Sequence, residues 1–346
     1  MSYRIACQWM IRLSGVGISK VPRHFAARDP CGPVTADVSQ PVSVCRFECG
    51  GNSIERRRNM NVLVATDGSK YGRWELNWVA QLPFVEQPTV MALHVLDLGA
   101  LRAPFLSQPV TAGSEGYIQE EIARMETRSA ITITDAKKQL AALKLKGTVR
   151  KEQGAIAPVI LKRAPKRDGL LVVGSKGLDA LDRFMLGSVS TNLIHHATCP
   201  VLVVKNEAAP VRRITLATDG SDASAKALAF VLSRFQPDRL TGRGECAPIH
   251  VSVLHVMPFF KYPELKEVGR RLVEEHAQKL VKAGYTAEPV CQLGKPADEI
   301  MQIASKHHAD LIVMGAKGLG AIARFLLGSV STRVVQHANC SVLVVR

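Results

Sequence analysis

Two stretches of this chain combine residue types that can hold an anion. Gly174-Ser175-Lys176-Gly177 is followed by nine residues and then Gly187-Ser188. Gly315-Ala316-Lys317-Gly318 is followed by nine residues and then Gly328-Ser329. Glycine lets backbone N–H groups approach phosphate oxygens with no Cβ in the way. A helix opening at Gly187-Ser188 or Gly328-Ser329 would add free N–H groups and the positive end of its dipole. The hydroxyls of Ser188, Ser190, Ser329 and Ser331 can serve as further donors. Arg183 and Arg324 occupy matching places in the spacers; reaching a phosphate and packing on the sheet are both open to them.

An acid stands at a fixed place in each half as well. Residues 62–69 read VLVATDGS and residues 214–221 read ITLATDGS, which places Asp67 and Asp219 just after an apolar run. Two roles are open to these carboxylates and can coexist. They could cap the helix that follows, or they could meet a ligand directly or through Mg²⁺.

These motifs recur because the chain is a tandem repeat. Tyr71–Leu82 and Ala223–Phe235 are helical in pattern, with Ser221 or Asp222 as the N-cap of the second. Val90–Leu96 and Ile249–Val256 are β-rich and share Leu-His-Val. LLVVG at 170–174 matches LIVMG at 311–315, and FMLGSVST at 184–191 matches FLLGSVST at 325–332. Each half closes on a strand, Pro200–Val204 and Ser341–Val345. Strands alternating with helices predict parallel sheets with crossover helices, and continuous apolar strands predict that both faces are covered. The fold expected is α/β, with two tandem doubly wound parallel sheets of five strands. Domain one spans 60–204 and domain two spans 211–346, with the polar linker KNEAAP between them. The first half carries about twenty extra residues centred on Leu98–Gly116, which predict an extended surface loop or lid. Its third helix contains Pro165, unfavourable in a helix interior. In such a sheet, ligands bind beyond the carboxyl ends of the strands, where the loops after the first and fourth strands meet.

Spacing of the form G-x2-G-x9-G-[ST] after a DLIVMG-like strand, with D-G-S after the first strand, resembles the pattern of ATP-binding universal stress proteins. The resemblance covers about residues 60–346. It implies a flavodoxin-like (Rossmann-like) sheet with ATP, alone or with Mg²⁺, lying across the two loops. It implies that Asp67 and Asp219, with the backbone near Ala65 and Ala217, contact the nucleoside, and that the backbone near Val95 and Val256 lies against adenine. The phosphates would sit on Gly174, Gly177, Gly187 and Ser188, and on Gly315, Gly318, Gly328 and Ser329. Val189, Ser190, Val330 and Ser331 would complete the two phosphate turns. The function implied is a stress or regulatory one, in which ATP or ADP modulates conformation or association. Pairing of the two halves within the chain, or of two chains as a homodimer, would follow the family. The alternatives are a scaffold that binds no nucleotide and a slow ATPase.

Several classes fall away. No Walker GxxxxGK[ST] motif and no nucleophile–base pair of familiar spacing is present, so no dedicated catalyst and no resident metal are expected. Gly318-Leu-Gly320-Ala-Ile-Ala323 fits a dinucleotide fingerprint, but no acid follows it to hold a ribose. Cys45 and Cys49 lack matching ligands for zinc. Cys199 and Cys340 are expected as buried small residues, His94 and His255 as packing residues at strand ends, and His195-His196 and His307-His308 as surface residues at helix C-termini. The chain has 346 residues, 47% hydrophobic and 22% charged, with a formal net charge of +15. That charge suits an anionic partner without choosing one, and nucleic acid is not the partner expected. No apolar run is long enough to cross a membrane, and scattered cysteines suit a cytoplasmic setting. Residues 1–58, with nine Lys/Arg against four acids, are expected to be a flexible extension or to precede the true start at Met60.

Overall fold

A computed structural model describes residues 60–99, 112–166, 168–176, 186–240, 246–257, 263–318 and 327–346. The expectations for residues 1–58, Gly177, Arg183, Gly320 and Arg324 fall outside those residues, as does most of the Leu98–Gly116 stretch.

The first half runs β1 (Asn61–Ala65), α1 (Lys70–Gln81), β2 (Thr89–Leu96), α2 (Ala112–Ala142), β3 (Gly147–Gln153), α3 (Ile156–Arg163), β4 (Leu170–Gly174), α4 (Ser188–His196) and β5 (Val201–Val204). The second half runs β6 (Arg213–Ala217), α5 (Asp222–Arg234), a hairpin of β7 (Asp238–Leu240) and β8 (Cys246–Pro248), then β9 (His250–Met257), α6 (Pro263–Lys282), β10 (Thr286–Leu293), α7 (Pro296–Lys306), β11 (Leu311–Gly315), α8 (Ser329–His337) and β12 (Ser341–Val345).

Each half holds five parallel strands, and the two sets are joined edge to edge. The resulting sheet has ten strands in the order β10-β9-β6-β11-β12-β5-β4-β1-β2-β3. The joint is the antiparallel pair β5–β12, with Leu202 opposite Leu343. Within the first half the order from the outer edge is third, second, first, fourth, fifth, the Rossmann form of the doubly wound sheet. The central strands LLVVG, VLVV, LIVMG and SVLVV are buried throughout because helices cover both faces. One face packs α1, α2, α5 and α6 around Leu76, Trp78, Val79, Phe230 and Phe235. The other packs α3, α4, α7 and α8 around Ile160, Leu193, Ile300 and Val334. The outer strand β3, GTVRKEQ, is largely exposed, and its charges discourage pairing with another sheet edge.

The seam between the halves is polar as well as apolar. Lys205, just after β5, donates to the carbonyls of Gln336 (3.0 Å) and Ala338 (2.8 Å) at the end of α8. Arg346, just after β12, donates to the carbonyl of Ile194 near the end of α4. Each half therefore places a cation on the negative C-terminal end of the other half's last helix. Trp78, 1% exposed, sends its indole N–H to the carbonyl of Asn206 at 2.8 Å.

Two expectations need correction. Residues 112–116 are the start of α2, a helix of 31 residues against 20 for α6, so part of the extra length is helix rather than loop. Helix α3 ends at Arg163, so Pro165 lies beyond its C-cap, Ala164, instead of inside it. Proline is at home just past a helix end, where no N–H is required.

Candidate functional site

The first loop of each half is built by its D-G-S triplet. Gly68 and Gly220 have φ of +82° and +80°, the left-handed turn that lets the chain reverse from strand to helix. The Asp67 carboxylate accepts the Ser69 N–H at 2.9 Å. Asp219 accepts the Ser221 N–H at 3.0 Å and its hydroxyl at 2.6 Å. The helix caps are the serines, Ser69 accepting from the Gly72 N–H and Ser221 from the Ser224 N–H. The capping role considered for the two acids is thus filled by their neighbours. Asp67 and Asp219 brace the turn with one oxygen.

His94 and His255, expected as packing residues, have a part in this loop. Nδ1 of His94 lies 2.9 Å from the carbonyl of Thr66, and Nδ1 of His255 lies 2.8 Å from that of Thr218. A carbonyl only accepts, so Nδ1 carries the hydrogen in both. These bonds tie the ends of β2 and β9 to the acidic turns and hold Val95 and Val256 beside them. The repeated Leu-His-Val was the signal that could have revealed it.

The second loop begins where β4 and β11 end. The Ser175 N–H donates to Val204 and the Gly187 N–H to the carbonyl of Ser175 (2.9 Å), while in the second half Gly328 donates to Ala316 (2.8 Å). The chain is thereby folded back so that α4 and α8 start beside the strand ends. The Ser190 hydroxyl donates to the carbonyl of Gly174 (2.6 Å) and that of Ser331 to Gly315 (3.0 Å). Both serines are buried. Their hydroxyl hydrogens are committed to the strand ends and are not free donors for a ligand. Ser188 and Ser329, by contrast, are exposed at the first turn.

The glycines divide into two kinds. A Cβ on Gly315 would lie 2.6 Å from the carbonyl carbon of Ala223, and one on Gly174 would lie 2.9 Å from the Glu75 carboxylate. These two let α1 and α5 approach the strand ends. A Cβ on Gly318 would lie 2.5 Å from the second oxygen of Asp219, so this glycine lets the acidic turn meet the glycine loop. Gly187 and Gly328 differ. Their backbones are ordinary, with φ of −60° and −68°. The nearest described atoms to an added Cβ would be 3.6 Å and 3.4 Å away, normal contact. Helices α4 and α8 have no side-chain cap and no acid in the first turn. Among the described residues, nothing requires glycine at 187 and 328. The first-turn N–H groups of Ser188 to Ser190 and of Ser329 to Ser331 have no intrahelical acceptor, and no side chain among the described residues caps them.

The two loops meet at the carboxyl ends of β1, β2 and β4. Ala65 is in register with Leu93 and Val173, and Ala217 with Leu254 and Met314. This is where the strand order reverses, the usual crevice for a ligand in such sheets. An uncapped helix start, a carboxylate and backbone groups at the end of the second strand can hold a phosphate ester. They form no nucleophile–base pair, and no cluster of three metal-ligating side chains occurs among the described residues. Burial pushes the Cys199 and Cys340 thiols up to about 11, which leaves both unreactive. His307, expected at the surface, packs its Nδ1 2.9 Å from Ser252 and 2.7 Å from Glu288, far along the strands from this crevice.

Comparison with known proteins agrees with this architecture. The model of the universal stress protein family matches residues 58–205 and again residues 210–346. A universal stress protein of Mycolicibacterium smegmatis is 30% identical over 305 residues, covering 85% of this chain and 99% of the relative. One from Mycobacterium tuberculosis is 27% identical over 306 residues, covering 84% and 98%. The crystal structure of a universal stress protein from Archaeoglobus fulgidus superposes with a TM-score of 0.58 at 20% identity, covering 83% of this chain and 98% of that one, a likeness of fold.

Proposed function

The chain belongs to the universal stress protein family, and on that premise we propose that each half binds ATP, and that the nucleotide sets how the two halves hold together or what they associate with. One observation carries this reading. Gly187 and Gly328 head uncapped helices in ordinary backbone conformation, and among the described residues there is room for a Cβ that neither has. A phosphate approaching the free N–H groups is a reason for that omission, and it is repeated in both halves.

In the reading proposed, the phosphates take the first turns of α4 and α8, with Ser188 and Ser329 adding exposed hydroxyls. Asp67 and Asp219 face the nucleoside or a Mg²⁺ carried by the phosphates, and the backbone at Val95 and Val256 meets the base. The family resemblance supplies that assignment of parts. The regulatory role follows from the seam. Helices α4 and α8 start at a candidate phosphate seat and end on a cation from the opposite half, Arg346 for α4 and Lys205 for α8. A ligand at one end therefore acts on an element anchored across the β5–β12 joint. With no catalytic pair among the described residues of either crevice, we assign binding rather than turnover. No helix among the described residues is long and apolar enough to cross a membrane. We place the protein in the cytoplasm, where Cys199, Cys291 and Cys340 would stay thiols.

Calorimetry with ATP and Mg²⁺ tests the proposal. It expects two binding events per chain. A flat heat at protein concentrations that detect micromolar affinity would leave the scaffold alternative in its place.

A further inference from the structure

The two crevices differ at one buried position. Counting from the capping serines, Glu75 in α1 corresponds to Ala227 in α5. Glu75 is 2% exposed. Its carboxylate takes the N–H of Gly174, and its Oε1 lies 2.9 Å from where a Cβ of Gly174 would be. Its Oε2 is buried without a hydrogen-bond partner. Gly174 in turn holds Ser190 of α4 through its carbonyl, at 2.6 Å. The carboxyl is thus two contacts from the helix start that heads the first phosphate seat. It also lies close enough to Asp67 for that charge to act on it.

We propose that Glu75 makes the first crevice an acid-favoured anion site. With the carboxyl neutral, the glycine loop accepts a phosphate-bearing ligand. Ionisation adds a second negative charge near Asp67, against Gly174, and weakens that site. The second crevice has Ala227 in the same place and no such group among its described residues. The inference rests on the reading that both crevices bind ATP.

The surroundings support a neutral carboxyl. The face of α2 turned to the core presents Ser129, Thr132, Ala136 and Leu140, all uncharged. Strands β4 and β5 are apolar here. On α1 itself the Lys70 ammonium sits over the rings of Tyr71 and Trp74, and Arg73 is exposed. Lys176 and Lys205 follow β4 and β5. Desolvation, then the Asp67 charge, hold the Glu75 carboxyl well above the usual carboxylate range, against the Gly174 N–H that favours the anion. An anion bound at the loop pushes in the same direction, so by reciprocity a proton on Glu75 favours the anion.

The test is calorimetry with ATP and Mg²⁺ from about pH 6 to about pH 9, on Gly328→Val, which keeps the first site, and Gly187→Val, which keeps the second. Titration of ATP itself affects both sites equally, so the ratio of the two affinities is the readout. The proposal expects the first site to lose roughly fivefold or more relative to the second as pH rises, the effect of one added charge at short range. Glu75→Gln, which keeps the shape, and Glu75→Ala, which copies the second half, should each flatten the ratio. Two sites that track each other across the range would overturn the inference while leaving nucleotide binding intact. Absence of ATP from both sites at every pH would overturn it together with the reading it rests on.

Discussion

Replacing Gly328 by valine separates ligand chemistry from packing. The residue has φ −68° and ψ 155°, a region valine favours, and among the described residues the nearest atoms to a new Cβ are Ala316 O at 3.4 Å and the Lys317 Cα at 3.5 Å. Folding should therefore change by no more than about 0.5 kcal/mol, as for a surface substitution. The ligand meets a different situation. A valine side chain at this N-cap would crowd the uncapped first turn, Ser329 to Ser331, where the ligand is assigned. A hydrogen bond to a charged acceptor contributes about 1.5–3 kcal/mol, so losing one or two costs about 3 kcal/mol, roughly a hundredfold in affinity. Gly315→Ala is the converse. Its Cβ would stand 2.6 Å from the Ala223 carbonyl carbon, backbone that yields only if α5 shifts, and overpacking of this kind costs about 1–3 kcal/mol of stability. Thermal unfolding and ATP calorimetry on both variants provide the assay. A Gly328→Val protein that binds ATP like the parent would refute the seat assigned to α8. A Gly315→Ala protein as stable as the parent would refute the division of the glycines into two kinds.

Further outcomes follow from the seam and the strand ends. Trp78→Ala removes a side chain 1% exposed and its bond to Asn206, and denaturant unfolding should show a loss of about 3–5 kcal/mol. Ser331→Ala leaves the buried Gly315 carbonyl without its 3.0 Å partner, at about 1–3 kcal/mol, with a matching loss at Ser190. Burial lowers Lys205 from the ordinary 10.5 to about 8. The folded state then holds fewer protons than the unfolded chain between those values, so stability should rise as pH climbs through that window, by about 1–3 kcal/mol after allowance for partial water access. Lys205→Met should abolish that rise; a stability curve identical to the parent's would sink the assignment.

Much of this architecture was legible because the repeat aligned strands, turns and glycines twice. VLVATDGS and ITLATDGS each carry an apolar run and a left-handed glycine, which is enough to place a strand, a turn and a helix start. The direction in which a hydroxyl points was not legible. Ser190 and Ser331 lie where phosphate donors were expected, but they turn back to strand-end carbonyls that only tertiary packing brings near. His94 and His255 bond carbonyls 28 and 37 residues away in the chain, a separation that no local period reports. The start of α2 at Ala112 was hidden by the glycines and serine at 113–116, whose low helix propensity is overridden in a helix that continues for seven more turns. The difference between Glu75 and Ala227 was visible in the aligned repeat. Its meaning depended on burial, which the pattern alone did not supply.

The central claim is that both crevices hold ATP. The most direct measurement is the nucleotide content of the protein as purified from cells, released by denaturation and counted per chain by mass spectrometry. The account predicts ATP or ADP approaching two per chain, falling to about one in Gly328→Val and in Gly187→Val. Protein that emerges without nucleotide, and gives no heat when ATP and Mg²⁺ are added back, would contradict it.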